Sequence, residues 1–156
     1  MKKKLKALLA GLILIGSTSV SAQEELVFTN GQLYSIGNEE QKSTHQTYFE
    51  SGQLKATYNL INGVLNGQAI FYNEEGKEIE LGFYKDGEKH GKWVKWNDNH
   101  QKIAEAHYYF GDKDGAWQIW DDAGTLRYEL NYQKGEKTGQ WKMYDETGEL
   151  VSVKEY

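Results

Sequence analysis

The 156-residue chain contains no cysteine and no proline. Without cysteine no disulfide can staple the fold, so stability has to come from sheet pairing and burial of aromatic side chains. Without proline the turns have to be shaped by glycine, asparagine and aspartate, and glycine is plentiful at 17 residues. Long apolar runs are missing as well. The one apolar stretch, Ala7 to Ile15, ends at Gly16, well short of the roughly 20 residues a membrane-spanning helix needs. It is preceded by Lys2, Lys3, Lys4 and Lys6 and followed by Val20-Ser21-Ala22. Residues 1–22 therefore read as a secretory signal cleaved before Gln23. No cysteine follows the run, which excludes lipid attachment. The expectation is an exported protein, periplasmic or secreted, that is not a lipoprotein.

Reactive constellations are equally scarce. The four histidines, His45, His90, His100 and His107, form no metal-ligand pair such as H-x-x-x-H. The chain has no nucleophile elbow, no phosphate-binding glycine loop and no DxDxDG calcium loop. Its acids cluster in turns such as Asp121-Asp122 and Asp145-Glu146, where solvation explains them. These absences argue against an enzyme, a metal site and a cofactor. Positive charge is short too: the net charge is −5, and loss of the signal removes four lysines and no acid, which takes it to −9. Such a field disfavours nucleic acid and an anionic membrane surface as partners, because both recruit Lys and Arg.

What the chain does have is a 24-residue repeat. Tyr84-Lys85-Asp86-Gly87-Glu88-Lys89-His90-Gly91-Lys92-Trp93 returns as Tyr108 to Trp117 and as Tyr132 to Trp141. One glycine column runs through Gly63, Gly87, Gly111 and Gly135, and a second through Gly67, Gly91, Gly115 and Gly139. The aromatic columns keep the same step: Leu60, Tyr84, Tyr108, Tyr132 and Tyr156; Ala69, Trp93, Trp117 and Trp141; Tyr72, Trp96, Trp120 and Tyr144. A fixed period of this size marks an array in which one supersecondary unit stacks on the next. Residues 48–156 form this repeat domain. Residues 23–47 read as a degenerate first repeat or cap, since Phe28 to Leu33 echoes Phe49 to Leu54 at a spacing of 21 with a polar loop, Gly37 to Ser43, between them.

Each period divides into two short strands. The first follows the second glycine: Gln68 to Asn73, Lys92 to Asn97, Ala116 to Asp121 and Gln140 to Asp145, rich in residues that suit a pleated surface. A turn follows, with Asn or Asp first and Gly last, except where His100 takes the glycine place. The second strand then runs to the tyrosine column, as in Thr125 to Tyr132. The Gly-x-x-x-Gly connection suits a hairpin bend between units. The fold class is therefore all-β, an elongated single-sheet ribbon of stacked antiparallel hairpins that advances by roughly 10 Å per repeat. Ile79, Leu81 and Phe83 have the opposite parity to Leu126, Tyr128 and Leu130. Either a bulge shifts the register or both faces carry apolar cover.

The unit Tyr-x-x-Gly-x-x-x-Gly-x-Trp-x-x-Trp/Tyr-x-x-x-Gly, complete at Tyr108 to Gly124 and Tyr132 to Gly148 and with His100 for the last glycine in Tyr84 to His100, resembles the MORN repeat in its bacterial variant. Proteins of that kind are often labelled YwqK-like antitoxin components. The resemblance implies stacked β-hairpins and a scaffold or binding role.

The candidate binding residues are the aromatic columns. Trp93, Trp117 and Trp141 stand three residues before Trp96, Trp120 and Tyr144, so in a regular strand the two columns face opposite sides. One column packs as core. The other, Tyr72, Trp96, Trp120 and Tyr144 or else Trp93, Trp117 and Trp141, is an exposed ladder able to bind a partner protein or stack on sugar rings. Lys89, Lys113 and Lys137 beside Glu88, Asp112 and Glu136 are expected to pair with one another in solvent, with a groove for a charged ligand as the alternative. The expected function is binding of another protein, with envelope glycan binding or antitoxin-type neutralisation as alternatives.

Overall fold

The computed structural model describes residues 25–29, 32–36 and 40–156. The signal assigned to residues 1–22 lies outside them. Two compact units divide the chain after Glu40. In the first, β1 (Glu25–Thr29) and β2 (Gln32–Ile36) form an antiparallel hairpin, with Glu25 opposite Ile36 and Thr29 opposite Gln32.

The second unit is one open antiparallel sheet. Its hairpins are β3 (Lys42–Tyr48) with β4 (Leu54–Ile61), β5 (Val64–Tyr72) with β6 (Glu78–Lys85), and β8 (Gly91–Trp96) with β9 (Lys102–Tyr109). They continue with β11 (Gly115–Trp120) and β12 (Leu126–Gln133), then β14 (Gln140–Tyr144) and β15 (Leu150–Glu155). Two-residue strands β7 (Glu88–Lys89), β10 (Asp112–Lys113) and β13 (Glu136–Lys137) pair back on β6, β9 and β12. Every long strand neighbours the next in sequence, as stacked hairpins require. β3 takes in Lys42 and Ser43, the end of the polar loop that the sequence predicts, because they pair with Ile61 and Leu60.

The turns inside the hairpins follow their side chains. The Asp121 carboxylate accepts hydrogen bonds from the amides of Ala123 and Thr125, the side-chain oxygens of Asn97 and Asp145 accept from the equivalent two amides, and that of Asn73 accepts from the Lys77 amide. The last place has positive φ: 78° at Gly76, 85° at Gly124, 86° at Gly148, and 58° at His100.

The connection between units corrects the expected single Gly-x-x-x-Gly bend. The bend is only two residues long, Asp86-Gly87 and its counterparts Asn62-Gly63, Phe110-Gly111 and Lys134-Gly135, and both residues have positive φ. This is the type I′ geometry whose twist matches that of the flanking strands. Beyond it the chain pairs for two residues, then bulges at the second glycine, where His90 N–H reaches the Phe83 carbonyl at 2.8 Å.

The parity question resolves in favour of both faces. A register shift falls in the same column of every hairpin, between Phe71/Tyr72, Lys95/Trp96, Ile119/Trp120 and Met143/Tyr144. A bulge common to all repeats cannot make their faces differ. Ile70, Leu81 and Val94 instead line up across strands on one face, while Ile119, Tyr128 and Met143 line up on the other. With a single layer there is no closed core, and among the described residues the buried apolar ones are Ala56, Ala69, Trp93 and Ala106.

Candidate functional site

Strand periodicity and register separate the two aromatic columns, as expected from their spacing. Trp93 is opposite Ala106, and Tyr84 is opposite Lys89, on what we call the ladder face. There the rings of the tyrosine and tryptophan columns alternate without a break. Centroid distances run 5.3 Å for Tyr84–Trp93, 6.2 Å for Trp93–Tyr108, 5.2 Å for Tyr108–Trp117 and 5.4 Å for Trp117–Tyr132. Tyr132–Trp141 at 5.2 Å and Trp141–Tyr156 at 4.8 Å complete it. The planes of Tyr84–Trp93, Trp93–Tyr108 and Tyr108–Trp117 are edge-to-face, as ring quadrupoles favour, and the later pairs are tilted by 53–59°. Each indole N–H donates to a backbone carbonyl ten residues earlier: Trp93 to Phe83 at 3.2 Å, Trp117 to His107 at 3.0 Å and Trp141 to Asn131 at 2.9 Å. The polar edge of each of these three tryptophans is thereby satisfied while its ring lies on the sheet.

Trp93 is 3% exposed, whereas Trp117 and Trp141 are half-buried. The difference traces to the cross-strand neighbour in the preceding repeat. Leu81 pairs with Val94, which puts Gly82 beside Trp93; the same column holds Ala106 beside Trp117 and Leu130 beside Trp141. A Cβ at Gly82 would lie 2.1 Å from Trp93 Cδ2, so only glycine lets the indole settle onto the backbone. Gly82 stands in neither glycine column, and that isolation was the available signal of its role.

The lysines do not pair with their sequence neighbours, contrary to expectation. Lys89 is in register with Tyr84 and Glu88 with Lys85, so successive residues point to opposite faces. The lysines cover the ladder instead. Lys89 Nζ lies 3.6 Å from the centre of the Trp93 ring, Lys113 4.4 Å from Trp117 and Lys137 4.3 Å from Trp141. Burial, followed by Tyr58 and Glu80, pushes the Tyr84 phenol up, and burial followed by Glu80 does the same to Tyr108. Lys154, together with Lys137, pulls the Tyr156 phenol down.

On the other, polar face the column Tyr72, Trp96, Trp120 and Tyr144 is half-buried, and polar groups flank its members. Trp96 stacks on His100 with planes 14° apart, Lys102 lies 4.2 Å from the Trp120 ring, and the Tyr144 hydroxyl donates to Glu129. Lys92, with Lys102, holds the Glu105 carboxyl below its ordinary value, and the Tyr144 hydroxyl with Lys142 does so for Glu129. Gln118, Glu129, Asn131, Gln140 and Lys142 border a shallow cavity of about 190 Å³. His90 packs against Tyr109 and Phe110, while His107 meets the Ala116 carbonyl; among the described residues no group of three His, Asp or Glu side chains could hold a metal ion.

No curated protein matches the chain in sequence comparison. A family model, that of the MORN repeat variant, matches residues 113–134 and 137–156. Both stretches begin on a ladder lysine and run through the next ladder tyrosine, so the similarity supports a MORN-type repeat array.

Proposed function

We propose that this chain is an exported, non-catalytic repeat protein that binds another protein through the polar-face aromatic column Tyr72, Trp96, Trp120 and Tyr144. One observation carries the reading. Trp93, Trp117 and Trp141 are locked into a continuous ladder with their N–H groups satisfied, which leaves the other column with no aromatic ladder of its own. Aromatic side chains flanked by adaptable polar groups on a single-layer sheet make the kind of surface protein partners use. A pull-down from envelope extract comparing the native protein with Trp96→Ala/Trp120→Ala tests this. Loss of specific partners is expected, and identical recovery rejects the assigned face.

Envelope glycan is the second reading, favoured by the amide and carboxylate groups of Gln118, Glu129, Asn131 and Gln140 around the cavity, which suit sugar hydroxyls. Cosedimentation with purified cell wall distinguishes it. Toxin neutralisation would be a special case of protein binding, and a toxin-like gene beside this one is the sign to seek.

A further inference from the structure

The ladder face has a charge of its own. Register places Lys89, Lys95, Lys113, Lys137 and Lys154 on it, with Glu80 as the acid among them. The polar face carries cations too, but there Lys92 and Lys102 pair with Glu105 and Lys142 with Glu129; the ladder face is where a chain of net charge −5 keeps lysines free of acids. Glu80 is taken by Lys89 at 3.5 Å. Among the described residues, Lys95, Lys113, Lys137 and Lys154 make no ion pair. Lys113 and Lys137 are held in place by the rings beneath them, yet each ammonium keeps donors free for an anion, because a ring occupies only one side of it. The row is preorganised, and successive lysines are about 10 Å apart because each repeat adds two strands.

The turns along both long rims of the sheet are acidic. One rim has Asp86 and Asp114, the other Asp98, Asp122 and Glu146. A wide anionic surface such as a bilayer would cover these rims together with the lysines, and the like charge of the rims would oppose it. A single narrow chain fits between them. Tyr128, 38% exposed, and Met143, 40% exposed, share the ladder face with the lysines and give such a chain apolar contact that a sulfated glycan, hydroxylated throughout, would leave unused.

From these observations we infer that the ladder face is a second binding surface, independent of the polar-face reading, for an extended polypeptide segment that carries carboxylates interspersed with apolar side chains. A polyproline-type chain turns once per three residues and about 9 Å, so an acid at every third position meets successive lysines.

The test uses the purified full-length chain and a fluorescent twelve-residue peptide with glutamate at every third position and leucine and serine between, followed by anisotropy at low and at physiological salt. Binding that weakens with salt is expected. Lys113→Met/Lys137→Met should weaken it at least about fivefold, as loss of two exposed ion pairs allows. Lys113→Arg/Lys137→Arg should retain it, and Lys92→Met/Lys142→Met, on the opposite face, should leave it within about twofold of native. If the methionine variant fails to fold, Lys95→Ser/Lys154→Ser asks the same question. The proposal is overturned if the glutamate peptide does not bind at low salt, or if its glutamine counterpart binds equally well. It is also overturned if the opposite-face variant loses as much, or if heparin or phosphatidylglycerol vesicles bind more tightly than the peptide. None of these outcomes involves Trp96 or Trp120, so failure here is separable from failure of the polar-face reading.

Discussion

Replacing Gly82 with alanine sets a methyl group against the Trp93 indole. The added Cβ would stand 2.1 Å from Cδ2, 2.2 Å from Cε2 and 2.5 Å from Cε3. These atoms lie in the middle of the ring system, and the ring is pinned by its N–H bond to Phe83 and by Tyr84 and Tyr108 on either side. The indole therefore has to lift off the sheet. Overpacking of this kind costs about 1–3 kcal/mol. The backbone works in the other direction: Gly82 is not among the residues of positive φ, so alanine fits its conformation and would by itself stabilise by about 0.4–1 kcal/mol through the unfolded state. The steric effect is larger, and net destabilisation is expected, seen as a fall in melting temperature of roughly 2–8 °C. A double-mutant cycle with Trp93→Ala isolates the cause. In that background the obstacle is gone and Gly82→Ala should become neutral or stabilising, which gives a coupling on the order of 2 kcal/mol. Urea unfolding followed by circular dichroism measures all four proteins. The reasoning is refuted if Gly82→Ala is harmless in the native background, or if it costs the same with and without the indole.

Lys113→Met and Lys137→Met keep the apolar stem and remove the charge over Trp117 and Trp141; each should lower stability by about 0.5–1 kcal/mol in urea titrations at low salt. The carboxyls of Glu105 and Glu129 lie below the ordinary value of 4.5 in the folded chain. Their contribution is present above that value and is lost as pH falls through the lower folded one, so stability should decline on acidification below about pH 4.5. Glu105→Gln should flatten that decline, and Tyr144→Phe should return Glu129 toward its ordinary value in an NMR titration. Lys134 adopts φ of 49° at the first place of its type I′ turn, which asparagine tolerates better; Lys134→Asn should raise thermal stability by about 0.5–1 kcal/mol.

Several features lay open in the sequence because they depend on local chemistry. The 24-residue step, the strands between glycines, the Asn/Asp-to-Gly turns and the opposition of Trp93 to Trp96 all follow from backbone preferences or from the period-two alternation of a strand. The Gly-x-x-x-Gly joint was less legible. Its two glycines serve different purposes, one in a two-residue turn and one in a bulge, and that division is set by how the short strand Glu88–Lys89 pairs back on Tyr84 and Lys85.

By itself the sequence determined an all-β array of antiparallel hairpins with fixed columns, since a repeated pattern that alternates at period two can bury its aromatics only by stacking like on like. Only the tertiary structure decided which neighbours those columns meet. Gly82 lies eleven residues before Trp93 and beneath its ring, and Lys89 turned away from adjacent Glu88 to cap the ladder. Both outcomes depend on the register between one hairpin and the next, and register is a relation between strands that no single strand's sequence contains.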